Sequence, residues 1–351
     1  MPDTTSHCGG EKSSSVTRSC MEPHPENCPN RCVAVDAAKL VAAAAVVWIH
    51  VTNCEESRHY LALCRFAVPF FTCAAVYYVL HKASTLRELS FTAFCAQRAR
   101  RLYLPFCLWA LFYLAVRAAK HAVVGEGSPI LLSPAVLLNG TTHHLWFLPF
   151  ICFVSIGAFV LGRWLRELTP RRGKSLALIF MLGGMALALV PDPITIRTVD
   201  APVTYFLDHA LDALPAALFG AAVFCLIRVF TPAVWLRVAV LVVALLCISW
   251  EFLNGGDSLA PHVAGASLLF FAVTQKNRTW MSPVGNWGHL AFTIYLVHVL
   301  FVEGLQAVEE RFGGSDSLSA DLSIWALALF ASAMTAKLMA RFRLLRWAFP
   351  Q

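Results

Sequence analysis

Apolar runs long enough to cross a bilayer recur from Val33 almost to the end of the chain, and a water-soluble fold of this size has too little interior to bury them all. Of the 351 residues, 58% are hydrophobic and 14% charged. With a mean hydropathy of +0.63, these proportions exclude an ordinary globular protein. A chain that crosses a bilayer repeatedly in long apolar runs must satisfy its backbone within each run, so the fold class expected is an all-α integral membrane protein. Ten runs read as spans: 33–51, 61–80, a third ending near 121, then 144–162, 175–190, 203–229, 233–250, 258–274, 284–303 and 322–340.

The distribution of basic residues orients these spans. The first 31 residues, alternate links and the C-terminal end hold 21 Lys and Arg, whereas the opposite links hold 5. By the positive-inside bias, both termini are expected in the cytoplasm. The net charge of +7 is then a topology signal and implies no nucleic-acid partner. Residues 1–31 are polar, lack an apolar h-region and read as a disordered cytoplasmic tail; residues 32–342 form the membrane domain, and 343–351 a short basic tail. Eight of the twelve cysteines lie in or beside apolar segments and read as packing residues. The other four are irregularly spaced, and no metal site is expected.

The first run, VAVDAAKLVAAAAVVWIHV, carries Asp36, Lys39 and His50. Ionisable groups in a spanning helix are functional suspects. Asp36 and Lys39 stand three apart and share a face, where each reduces the other's desolvation cost. His50 falls on nearly the same face, about 16 Å beyond Lys39 at 1.5 Å per residue. A plainer reading is available for each: Asp36 caps the first turn, Lys39 snorkels, and His50 is wetted at the boundary. Arg65, near the start of the second run, either faces His50 or snorkels.

Three further stretches stand out. Arg98 and Arg101 form an R-x-x-R pair followed by Pro105 at what reads as the cytoplasmic mouth of the third span; such a pair can grip phosphate oxygens or simply face lipid headgroups. His144-Leu145-Trp146-Phe147-Leu148 enters the fourth span after a second histidine, His143. Gly285-Asn286-Trp287-Gly288-His289 leads into a helix containing Tyr295 and His298, three apart on one face.

In order and spacing, these motifs resemble those of the acyltransferase-3 family of polytopic membrane O-acyltransferases. The likeness extends over nearly the whole chain after residue 31, with Lys39 where the commoner residue is Arg. The resemblance implies transfer of an acyl group, acetyl being the expected one, from cytoplasmic acyl-CoA to a hydroxyl of an extracytoplasmic glycan or lipid-linked sugar. His50 is the expected general base, and Asp36 and Lys39 an ion pair shaping the donor channel. Arg98 and Arg101 are expected on the acyl-CoA, with His144, Trp146, Tyr295 and His298 on the acceptor side. The residence implied is a cell membrane, bacterial inner or cytoplasmic, with lipids as neighbours. Acyl-CoA enters as donor substrate and no cofactor is permanently bound. Direct transfer and an acyl-enzyme both stay open. The alternative class is an exporter of polysaccharide or small molecules, whose path also needs buried charge.

Overall fold

The computed structural model describes residues 32–86, 88–124, 133–190, 201–256, 259–275, 282–285, 287–313 and 317–341; the two tails read from the sequence lie outside them. Among the described residues every regular element is helical. In chain order they are α1 (Val33–Val51), α2 (Glu55–Leu61), α3 (Ala67–Thr85), α4 (Phe91–Arg98), α5 (Leu104–Val124), α6 (Val136–Asn139) and α7 (Phe147–Trp164). Then follow α8 (Pro170–Ala188), α9 (Ala201–Val229), α10 (Val234–Asn254), α11 (Ala260–Thr274), α12 (Ser282–Gly285), α13 (Ala291–Arg311) and α14 (Leu318–Arg341).

Eight helical segments among the described residues are long and apolar enough to cross a membrane: Val33–Val51, Glu55–Thr85, Phe91–Val123, His143–Glu167, Tyr205–Val229, Val234–Asn254, Gly288–Arg311 and Leu318–Met339. The other two expected spans are helical but fall short of that standard. α8 opens with Arg171, Arg172 and Lys174 in its first turns. α11 has 15 residues, about 22 Å of helix against a hydrocarbon core of about 30 Å.

α3 lies at the centre of the bundle, packed on α7, α9, α11 and α1. Its buried face is Ala67, Phe70, Cys73, Ala74 and Leu80. Small residues let helices approach closely where lipid offers no hydrophobic drive between them. A Cβ on Gly220 of α9, for example, would come within 2.6 Å of the Cys73 carbonyl oxygen. The outer face of α10 is apolar and open, with Val238, Leu245 and Leu246 all more than half exposed, as a surface solvated by lipid requires.

Two stretches differ from the sequence expectation. Residues 52–60 read as a loop, yet Glu55–Leu61 is helical because the Cys54 side chain caps it, accepting from the Ser57 N–H. Residues 81–97 read as a link before the third span, whereas α3 continues to Thr85 and α4 starts at Phe91. Ser90 caps α4 by accepting from the Ala93 N–H at 3.2 Å. A π-helical turn, Ala99–Tyr103, joins α4 to α5. Pro105 explains this turn: proline has no N–H to give and crowds the carbonyl four residues back, so the ladder widens and the Leu104 N–H reaches the Ala99 carbonyl.

The earlier start moves the arginine pair. The segment Phe91–Val123 is 33 residues long, about 50 Å, and its first turns run antiparallel to α7. Arg163, near the end of α7, donates to the Leu89 carbonyl at 3.0 Å, and Phe94 stacks on Phe159 at 4.2 Å. Leu102 reaches the cluster of Trp146, Phe150 and Ile151 near the start of α7. Arg98 and Arg101 therefore lie two to three turns beyond the start of this segment, Arg98 half-buried and Arg101 exposed.

Candidate active site

α1 ends at a cluster of four histidines. Its alanine-rich stretch packs closely on α13, with Ala43, Val47 and Val51 against Leu290, Ala291, Ile294 and Val302, and this contact brings His50 beside His298 with ring centroids 4.9 Å apart. His143 and His144 come from a 3-10 turn, His143–Trp146, that opens α7. Gly140 turns the chain toward that site with φ +73°, a conformation costly for other residues, and a Cβ there would also strike Leu145 at 2.7 Å.

The histidine doublet is clamped through its backbone. The Tyr205 hydroxyl donates to the His143 carbonyl at 3.0 Å, and the Tyr295 hydroxyl donates to the His144 carbonyl. Upstream, the Thr141 hydroxyl donates to the Ala110 carbonyl at 2.7 Å, and Arg117 donates to the Thr141 carbonyl at 2.8 Å. Helices α5, α9 and α13 thus hold two consecutive imidazoles in fixed positions. Tyr295, expected on the acceptor side, here spends its hydroxyl on positioning.

Hydrogen-bond partners determine the protonation pattern of the rings. His298 Nδ1 lies 3.1 Å from the Ile294 carbonyl and 2.8 Å from the Tyr295 carbonyl. Both partners only accept, so the neutral ring carries its proton on Nδ1 and leaves a bare lone pair on Nε2. That Nε2 is buried and has no hydrogen-bond partner. His144 is also buried, with neither ring nitrogen partnered. Its ring centroid is 5.3 Å from His298, 6.0 Å from His50 and 5.3 Å from Tyr113. His50 Nδ1 is 3.0 Å from His143 Nε2. When His50 is the donor of that bond, its Nε2 is free to accept a proton. Such buried ring nitrogens suit proton transfer to and from a bound reactant. Among the described residues, no group of three His, Cys, Asp or Glu is arranged to hold a metal ion.

A second group of charges lies lower in the bundle. Arg98 stands 5.0 Å over the Phe94 ring, and its Nε is buried without a hydrogen-bond partner. Arg98, Arg101 and Lys82 are close enough to act on one another's charge, and Lys82 donates to Gln97 at 2.7 Å. From Arg98 to Tyr113, which packs on His144, is 15 residues of nearly continuous helix, roughly 22 Å. Among the described residues, these cations stand at one level and the imidazole cluster, with unpartnered nitrogens on His144 and His298, at another.

The family model of an acyltransferase domain, acyltransferase-3, matches residues 33–340. The chain belongs to this family. It is thereby a membrane acyltransferase in general terms, and its eight bilayer-length apolar helical segments agree. No curated protein and no solved structure matches the chain at a significant level.

The remaining sequence candidates divide. Lys39 donates to Asp36 Oδ1 at 3.0 Å, and its ammonium lies 5.6 Å over the Tyr78 ring. This acyltransferase's ion pair is at the opposite end of α1 from His50, about 20 Å away along the axis, and is not part of the imidazole cluster. Trp146 is buried at the edge of the cluster, 5.1 Å from His209. Arg65 faces Glu251 of α10, not His50. Sequence reasoning passed over His209, His262, Tyr205 and Glu251; lone polar residues in apolar helices were the available signal.

Proposed function

We propose that the protein is an O-acetyltransferase that takes acetyl from cytoplasmic acetyl-CoA and esterifies a hydroxyl of an extracytoplasmic glycan or lipid-linked sugar. The observation that carries this reading is the imidazole cluster with unpartnered ring nitrogens, joined by one helical segment to Arg98 and Arg101, beside which Lys82 of α3 adds a third cation. The cations hold the phosphates of the donor, and its pantetheine arm extends toward the histidines.

In direct transfer, His50 Nε2 takes the acceptor hydroxyl proton while Nδ1–H stays on His143. The oxygen attacks the thioester carbonyl, the C–O bond forms and the C–S bond breaks. The departing thiolate recovers the proton from the His50 imidazolium, leaving an ester, CoA thiol and unchanged enzyme. His143 orients His50, and His298 Nε2 is a second fixed acceptor facing the same space. Histidine is suited to this work because its ordinary pKa lies near neutrality.

The test uses protein in nanodiscs with acetyl-labelled CoA and cell-surface glycan. Label appearing in glycan ester supports the reading; movement of glycan without label identifies an exporter instead. Rapid quenching without acceptor separates the two chemical routes, since label on the protein marks an acyl-imidazole.

Two expected results belong to this reading. With both termini cytoplasmic and ten crossings, as the 21-to-5 basic asymmetry supports, a cytoplasm-dependent reporter works when fused after Arg171 and fails when fused after Gly313. The reverse pattern overturns the orientation. The Arg98→Ala, Arg101→Ala double variant loses charge-assisted contacts worth roughly 1.5 to 3 kcal/mol each, so its acetyl-CoA affinity falls at least about a hundredfold. Unchanged affinity in well-folded protein assigns the pair to lipid headgroups.

A further inference from the structure

Beside the histidine cluster a separate cavity of about 610 Å³ opens between the ends of several helices. This is within the range of small-molecule sites, about 300 to 1,000 Å³. Its wall combines apolar surface, from Trp146 and the three prolines Pro69, Pro215 and Pro261, with Arg65, His209, Asp212 and His262. Helix direction puts these residues at the same end of the bundle as His50. α1, α8 and α10 arrive there with their C-terminal ends, and α7, α9 and α11 leave from it.

Polar atoms on this wall and just behind it are incompletely satisfied. Behind the wall, Glu251 pairs with Arg65, is 1% exposed and has a second oxygen, Oε2, without a hydrogen-bond partner. His262 is 8% exposed and its Nδ1 is unpartnered; His209 Nδ1 is unpartnered as well. A polar occupant of the cavity would supply the bonds these atoms lack. The charges on the wall narrow its chemistry. Arg65 is matched by Glu251, which leaves its guanidinium without excess charge for a phosphate, sulfate or carboxylate. What fits a mixture of apolar wall, carboxylate and imidazole is a molecule with apolar C–H faces and a rim of hydroxyls that both donate and accept.

The cavity is also joined to the imidazoles. Trp146 lies two residues beyond His144, and the His209 ring is 4.2 Å from that of Tyr205, whose hydroxyl holds the His143 carbonyl.

We propose that this cavity is the acceptor pocket and that it binds a neutral pyranose unit, with Arg65, His209 and His262 reading its hydroxyls, Glu251 holding Arg65 from behind the wall, and Trp146 covering an apolar edge. This deepens the acetyltransferase reading above and rests on it for the word acceptor, while binding of the sugar can be measured without any transfer.

The probes are the methyl glycosides of glucose, galactose and N-acetylglucosamine, with methyl glucuronide as the anionic comparison, on full-length protein in nanodiscs. Saturation-transfer NMR reads binding, and labelled acetyl-CoA reads transfer. Two variants are needed. Glu251→Gln removes the carboxylate that holds Arg65 in the wall, while Arg65, 41% exposed at its side chain, stays solvated. Leu189→Trp fills the mouth from a position that is 60% exposed and makes no part of the ion pair.

The expected result is binding of at least one neutral glycoside, weakened about tenfold in both variants while Leu189→Trp melts as the parent does and Glu251→Gln only slightly below it, with the acceptor KM rising in parallel. Neutral-glycoside binding that the variants weaken, without any transfer, supports the pocket and sinks the acetyltransferase reading. Transfer whose acceptor KM neither variant moves overturns the pocket. So does failure of all three neutral glycosides to bind, or tighter binding of the glucuronide.

Discussion

The His50→Gln protein is expected to insert, to bind acetyl-CoA as the parent does, and to turn over about 10² to 10⁴ times more slowly, the range a positioned general base contributes. Glutamine can hydrogen-bond to His143 but cannot usefully accept a proton near neutrality, so it should fail nearly as badly as alanine. His143→Gln is expected to lose less. That change leaves His50 in place and removes only the partner, 3.0 Å away, that holds its proton on Nδ1. Turnover by single-turnover quench, with donor affinity and melting temperature measured on the same samples, checks the ordering. A well-folded His50→Gln protein that transfers at nearly the parental rate removes the assignment. The next candidate is then His298, whose lone pair on Nε2 is fixed by two backbone carbonyls.

Local relations were legible in the sequence and distant ones were not. Asp36 and Lys39, three apart, do pair, because a helix places such residues side by side whatever surrounds them. Tyr295 and His298 likewise share a neighbourhood on α13, as their spacing required. The gathering of His50, His144 and His298 could be anticipated only as three residues at one end of a bundle. Their contact depends on how α1 packs on α13, which spacing within either helix does not encode. The Arg65–Glu251 pair joins residues 186 apart, and nothing around Arg65 pointed to it. The helical surroundings of Arg98 were hidden for a different reason. The stretch before it is polar enough to resemble a link, yet Phe91 and Phe94 lean on Phe159 and carry the helix two turns further. Which helical segments exist was thus largely readable from hydropathy, while the depth and partners of their polar residues required the packing.

The Arg65–Glu251 pair yields the largest expected effect on stability, and the effect is asymmetric. Glu251 is 2% exposed at its side chain and Arg65 41%, so removing the guanidinium leaves a carboxylate with neither water nor a counter-ion, whereas removing the carboxylate leaves a cation that water still reaches. Breaking a buried pair from the side that strands a charge costs on the order of 3 to 5 kcal/mol, and the partial exposure of Arg65 puts the expected loss near the lower end, about 3 kcal/mol. Arg65→Met should therefore melt well below the parent, and Glu251→Gln only slightly below it. Adding Glu251→Leu to Arg65→Met removes the stranded charge and should recover most of the loss, since apolar replacement of both partners in a low-dielectric site is often neutral. Equal melting of the two single variants, or a double variant no more stable than Arg65→Met, would show that the pair is held mainly by its surroundings and that Glu251 reaches water by another route. Recovery of stability without recovery of glycoside binding in the double variant is the expected combination, because the methionine and leucine restore the packing of the wall but not its hydrogen bonds.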